Sequence, residues 1–264
     1  MPKILRNLLL WIPIPSGKYF CFFFNFFSLI LNSKIKIYFI DGYYYIKNLK
    51  WRFYHRKAGV YFYLLGINRR ISFLKKKYFL NKINFDKDDI IIDCGANNGD
   101  LFLCFDKRIK YYGIEPSPIV FGNLQHNVKN QNLINKAIWK NSLDKVSLYL
   151  SDEGGDSSII PIKSYTKKIN ILCITLDELI DDIGSTIKLI KIEGEGSEPE
   201  ILEGLNKNLS KVEYLSIDAG FERGINQKST FEDCIKYLKK NNFELVNFDK
   251  KNYVLLFKNL YLNQ

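Results

Sequence analysis

The chain has 264 residues, 47% of them hydrophobic, and a formal net charge of +11; that is enough apolar material for one large α/β domain with an N-terminal extension. Five scattered cysteines (Cys21, Cys94, Cys104, Cys173 and Cys234) without a C-x-x-C pair, and only two histidines, argue against a zinc site or a disulfide framework and for reduced, mostly buried thiols in the cytosol. Residues 1–85 hold 16 Lys/Arg and one acid, Asp41, whereas residues 86–264 hold 23 basic and 27 acidic residues, so a boundary near Phe85 separates a basic, aromatic extension (1–85) from the main domain (86–264).

In the extension, Lys3 and Arg6 precede the apolar run Leu8-Leu9-Leu10-Trp11-Ile12. Pro13 and Pro15 break it, and no small-residue cleavage site follows. Tyr19 to Leu31 is a second apolar stretch of 13 residues with Asn25 and Ser28 inside it, shorter than the ~20 residues a spanning helix needs. Phe20, Phe23, Phe24, Phe27 and Leu31 share one helical face, yet Phe22, Phe26 and Leu29 leave little polar face. Such a helix either packs on the main domain or a partner subunit, or rests on lipid, which would make residues 1–31 a peripheral contact with the inner face of a membrane. From Lys34 to Leu80 aromatic and basic residues interleave in short β-prone runs broken at Gly42, Gly59 and Gly66. These predict hairpins with a solvated basic face, although the same interleaving serves single-stranded nucleic acid binding.

The main domain begins with a continuous apolar run, Ile90-Ile91-Ile92, the pattern of a buried parallel strand. Asp93-Cys94-Gly95-Ala96-Asn97-Asn98-Gly99 follows, and then Leu101, Phe102 and Phe105 at helical spacing, which places the glycines on a strand-to-helix turn open to a ligand. The next strand, Tyr111 to Glu115, delivers a carboxylate 22 residues beyond Asp93, near the ~20 residues at which such folds grip a ribose. The loop reads D-x-G-x-x-x-G rather than the G-x-G-x-x-G of dinucleotide sites, and Asp100 next to it would repel a pyrophosphate. A nucleoside carrying an ammonium and no phosphate suits it, namely S-adenosylmethionine (SAM); Asp93 and Asp100 would flank the ammonium, with Gly95, Asn97 and Gly99 beneath and Glu115 on the ribose.

Further on, Ser117-Pro118 starts a helix to Lys129. Leu133–Trp139 and Val146–Leu150 read as strands, and Glu153 to Ser158 as a turn. Thr175 with Glu178 forms a capping-box pattern. Lys188–Glu193, Val212–Asp218, Glu244–Phe248 and Tyr253–Phe257 supply later strands, the last two as a hairpin. The fold class expected is α/β, a doubly wound, mostly parallel sheet with an antiparallel edge hairpin. Ligands bind such sheets at the carboxyl ends of the strands, which gathers Asp93–Gly99, Glu115, Glu193–Glu198 and Asp218–Arg223 into one site.

In Lys191-Ile192-Glu193-Gly194-Glu195-Gly196-Ser197-Glu198, Ser197 and Glu200 read as another capping box, with Glu198 in the first turn. Crowded carboxylates raise one another's pKa, so Glu193, Glu195 and Asp218 are candidates to take a proton from an acceptor hydroxyl, or to hold Mg²⁺ as a group. Arg223 could bind an acidic group or form an ion pair with Glu222 or another acid.

These motifs resemble those of the FkbM family of class I SAM-dependent methyltransferases: Asp93 to Gly99 as the D-x-G-A-N-x-G loop, Glu115-Pro116, Thr175-Leu176-Asp177, and Lys191 to Glu198 running to Leu202-Glu203-Gly204. Ser216 to Gly224 resembles a sub-branch of it. Glu193 stands where the family usually has Asp. The resemblance implies an O-methyltransferase acting on a sugar hydroxyl of a surface glycan or a secondary metabolite. An RNA methyltransferase and a non-catalytic, membrane-associated SAM-binding subunit are the alternatives. Nucleic acid is not the expected partner, because no N-P-P-Y-like tetrapeptide or RNA module occurs.

Overall fold

The structure is a computed structural model describing residues 16–54, 57–106, 108–142, 145–151 and 157–263. The apolar run Leu8–Ile12 and the turn residues 153–156 lie outside them. Its contacts divide the chain into two units, residues 1–73 and 74–264.

In the first unit, Lys18–Ile30 is a helix (α1) that buries Phe20, Cys21, Phe24 and Ser28. Three strands, β1 (Ile37–Ile40), β2 (Tyr43–Ile46) and β3 (Trp51–Tyr54), form an antiparallel sheet in that order. The two polar residues inside the apolar run of α1 serve this sheet. The Asn25 amide donates to the Ile37 carbonyl at 2.9 Å and accepts from its N–H at 2.8 Å, satisfying an edge strand that would otherwise be open, and Ser28 Oγ donates to the Ile35 carbonyl. The expected β pattern stops at Tyr54. Lys57–Tyr61 (α2) and Ile67–Lys77 (α3) are helical instead; Val60, Tyr63 and Leu64, all buried, recur at helical spacing from α2 into the turn that follows it.

In the second unit a seven-stranded sheet has the order β15-β16-β12-β11-β4-β5-β6: β4 (Ile90–Cys94), β5 (Lys110–Ile114), β6 (Asn132–Ile134), β11 (Ile187–Ile192), β12 (Val212–Asp218), β15 (Phe243–Asp249) and β16 (Val254–Asn259). Only β16 runs antiparallel to its neighbours β12 and β15, as the closing hairpin predicts. Every residue of β4 is buried, which is why that segment reads as a continuous apolar run. Small pairs decorate the sheet: β7 (Ala137–Ile138) with β10 (Cys173–Ile174), β8 (Val146–Leu150) with β9 (Lys167–Ile171), and β13 (Phe221–Arg223) with β14 (Lys228–Ser229).

Helices α4 (Pro118–Asn127), α5 (Leu176–Ile183), α6 (Glu198–Glu203) and α7 (Phe231–Lys240) connect the strands. The last three insert Leu179, Ile180, Leu202, Cys234 and Leu238 into the main core. Thr175 and Glu178 form the expected capping box on α5. The other expected box does not form: Ser197 Oγ donates to the Gly194 carbonyl and Glu200 pairs with Arg223. After the glycine loop the chain makes only a short 3-10 turn, Asp100–Cys104, since β5 begins six residues later. The expected strand Leu133–Trp139 is interrupted where the Asn135 amide turns to the carbonyls of Glu115 and Pro116. All five cysteines are free and buried.

Candidate active site

Parallel register builds the site. Cys94 pairs with Ile114 and Ile192, and Ile192 with Ile217, so the next residues, Gly95, Glu115, Glu193 and Asp218, emerge side by side at the carboxyl edge. Gly95, Asn97, Glu115, Glu193, Glu195 and Ser197 line one crevice that opens to solvent. Ile114, Pro116, Ile138, Leu148 and Ile159 give it apolar walls.

Glu115 is fixed by the backbone: Oε2 accepts the Asn97 N–H and Oε1 the Ser117 N–H, both at 2.9 Å. Each oxygen keeps acceptor capacity for a diol, and the apolar walls suit a purine, so these residues fit the nucleoside of SAM. Gly95 has φ +77°, and a Cβ there would lie 2.2 Å from the Glu193 carbonyl; no other residue lets the two loops approach so closely. Asp93 is buried under the loop. Tyr111 Oη donates to it at 2.5 Å and Lys191 Nζ lies 3.0 Å away, so the ammonium beside Asp93 in this structure is that of Lys191. Neither Gly99, packed near Leu124 and Val128, nor Asp100, at the start of the 3-10 turn, lines the crevice.

The opposite rim is ionic. Lys77 Nζ bridges Glu193 Oε1 and Asp218 Oδ2, 2.8 Å from each, and Lys191 Nζ lies 3.1 Å from Glu193 Oε2. The Tyr78 ring sits beside both ammoniums. Burial alone would lower the pKa of Lys77 and Lys191, but the negative charges of Glu193 and Asp218 around the first, and of Asp93 and Glu193 around the second, outweigh it and hold both above the ordinary lysine value. Burial pushes Glu193 up, yet the two lysines win and keep its carboxyl well below the usual range. The raised values expected of crowded carboxylates fall not on Glu193 but on Asp218 and Glu222. Asp218 is raised, by burial and the Glu193 charge against the pull of Lys77. Glu222 is pushed up to about 8 by burial and by the charges of Asp218 and Glu193. Its Oε2 is buried and, among the described residues, has no hydrogen-bond partner.

The loop between β11 and α6 is strapped by Glu198, which is buried and accepts the N–H groups of Gly194 and Gly196 and the Thr230 hydroxyl. Glu198 is therefore a loop anchor and not only a partner of the helix dipole. Gly196, at φ +93°, lies against the Arg223 backbone, which a Cβ would meet at 2.4 Å. Arg223 itself grips Glu200 with two nitrogens and the Gly196 carbonyl with one of them, so its fork is spent on an ion pair. Glu195 takes a left-handed φ of +51° at the crevice wall.

The metal expectation does not fit this donor set. Two lysine ammoniums already sit among Asp93, Glu193 and Asp218, and among the described residues no cluster of three or more metal-ligating side chains occurs.

Lys77 and Tyr78 were not legible as site residues; Glu198 and Glu222 lie in segments assigned to the site, but not in the roles of loop anchor and raised carboxyl. Lys77 reads as the end of a solvated Lys75-Lys76-Lys77 run, but Leu74 and Tyr78 are buried and Lys77 falls on the face between them. That helical period is the signal that would have found it.

The Methyltransferase FkbM domain matches residues 93–245, more than half the chain. The chain belongs to the FkbM methyltransferase family. It is a SAM-dependent methyltransferase. No curated protein matches it. Among solved structures, a putative rRNA methylase from Clostridium thermocellum is similar at 14% identity, over 70% of this chain and 94% of that one, with a TM-score of 0.43. Fibrillarin from Aeropyrum pernix with bound SAM is similar at 12% identity, over 69% and 73%, with a TM-score of 0.41. A precorrin 8w decarboxylase from Methanobacterium thermoautotrophicum is similar at 14% identity, over 72% and 89%, with a TM-score of 0.40.

Proposed function

We propose that this FkbM methyltransferase transfers a methyl group from SAM to a hydroxyl of a sugar, in a glycan or secondary metabolite. The observation that carries the reading is the single crevice with Glu115 on one rim and Glu193 and Glu195 on the other. SAM supplies an electrophilic methyl on sulfur, and displacement by a hydroxyl needs alignment, exclusion of water and a place for one proton. Glu115 would hold the ribose diol, Gly95 and Asn97 would lie under the amino-acid end, and Asp93, Gly99 and Asp100 would set the loop and its charge. Glu193, kept ionised by Lys77 and Lys191, is a poor base but a firm acceptor that can orient a hydroxyl. Asp218, with its raised pKa, is better matched to receive the proton, and Glu195 lies within the same wall. A rim of carboxylates disfavours phosphorylated acceptors and suits neutral ones. For location we propose the cytoplasm, peripheral to the inner face of a membrane through residues 1–31; no described helix is long and apolar enough to cross one.

The test is transfer of labelled methyl from SAM to a panel of neutral sugars and glycans. We expect labelled sugar ethers, with Glu193→Gln and Asp218→Asn lowering turnover by ~10²-fold or more while SAM affinity stays near wild type. Labelled RNA instead of sugar would replace the acceptor class. Wild-type turnover in both variants would make these carboxylates structural.

A further inference from the structure

Helix α1 has two apolar faces. One, carrying Phe20, Cys21, Phe24 and Ser28, is buried, and Asn25 at its margin ties the helix to β1. The other carries Tyr19, Phe22, Phe23, Phe26, Leu29 and Ile30, which are 39–78% exposed. At 100° per residue these six fill a continuous arc, about 17 Å long at 1.5 Å per residue. The only charge on α1 is the exposed Lys18 at its start; exposed Lys34 and Lys36 follow its end. Tyr38 and Ile40 on β1 add further exposed apolar surface to this unit. Isolated exposed apolar residues need no explanation, but a contiguous aromatic face does.

Charge indicates what covers it. Residues 1–73 contain 12 Lys/Arg and one acid, whereas residues 74–264 contain 27 of each. The whole net charge of +11 thus sits in the unit that bears the aromatic face. Two copies meeting through this face would bring like charges together, whereas an anionic surface is attracted. Single-stranded RNA would need cations among the rings it stacks on, and the arc has none between its rings. An apolar, ring-rich face bordered by lysines is the pattern of a helix lying in a bilayer interface.

We infer that the outward face of α1, centred on Phe22 and Phe26, docks on the surface of an anionic lipid bilayer while its inward face holds the helix to β1–β3. This sharpens the location proposed above. It is independent of the acceptor, because vesicle binding and SAM binding are measured separately.

The experiment is co-sedimentation of the full chain with vesicles of phosphatidylglycerol mixed with phosphatidylcholine, and of phosphatidylcholine alone, at 0.15 M and 0.5 M salt. We expect at least tenfold preference for the anionic vesicles, partial loss in 0.5 M salt, and at least tenfold weakening in the Phe22→Ser, Phe26→Ser double variant. Its melting temperature and SAM affinity should stay at wild-type values. Leu29→Ser with Ile30→Ser is a second, independent pair should the first misfold. No wild-type binding to anionic vesicles overturns the inference. So does wild-type binding by both variants, which would assign the affinity to charge alone. A dimer in sedimentation velocity that both variants dissolve would give the face to a second copy, and RNA homopolymer binding lost in both would give it to RNA; either result replaces the bilayer.

Discussion

On one rim of the crevice Glu115 is held by two backbone N–H groups, those of Asn97 and Ser117; on the other, Glu193 is held by the side-chain ammoniums of Lys77 and Lys191, and Lys77 ties it to Asp218 behind the crevice lining. The first arrangement is made within about twenty residues of chain and follows the loop wherever β4 and β5 pair. The second joins groups 116 residues apart, from Lys77 to Glu193, and depends on the tertiary fold. Backbone donors hold a carboxylate in place without setting a full charge beside it. Lysines also set which carboxyl keeps a proton, so the second rim is electrically tuned.

The largest expected effect lies on the ionic rim. Lys77→Met leaves Asp218 without its cation and should destabilise the fold by about 3–5 kcal/mol, the usual cost of removing one partner of a buried pair. Denaturant unfolding at pH 7 measures it. Adding Asp218→Asn should recover part of that loss, a coupling seen in a double-mutant cycle. A loss below about 1 kcal/mol would place the bridge with ordinary surface pairs and erase the contrast between the rims.

Glu115→Ala should do something different: leave most of the stability and weaken SAM binding by about 1.5–3 kcal/mol, the range for a charge-assisted hydrogen bond. Calorimetry on the folded variant decides it, and an unchanged affinity would remove Glu115 from the nucleoside site.

The sharpest probe of the tuning, and one read through pH, belongs to Glu222. Its folded value of about 8 lies above the ordinary 4.5, so between the two the folded chain holds a proton that the unfolded chain has lost. Stability should therefore fall as pH rises from about 5 to 8. Glu222→Gln should be nearly neutral at pH 5, flatten that slope and be the more stable protein at pH 8. Parallel pH–stability curves for the two proteins would show that the cluster does not raise Glu222.

The features legible in the chain are those made by neighbours. Ile90-Ile91-Ile92 is apolar at every position because a central parallel strand is buried on both faces. The Asp93–Gly99 loop and Glu115 are read from spacing, and Thr175 with Glu178 caps α5 because four consecutive residues suffice. The same local logic fails at Ser197 and Glu200, where Arg223 captures the glutamate. It fails again at 57–77, where helices replace the expected hairpins.

Sequence by itself determined the family, the parallel core and the strand ends that carry the site, since hydrophobic period and loop spacing are short-range properties. Only the tertiary structure decided how the carboxylates are occupied. Which of Asp93, Glu193, Asp218 and Glu222 is ionised depends on where Lys77 and Lys191 come to rest, and Coulomb energies in a buried cluster change steeply over distances no linear pattern records. The same is true of α1: its composition shows apolar residues on every side, and only packing against β1–β3 separates the face that is covered from the face left open.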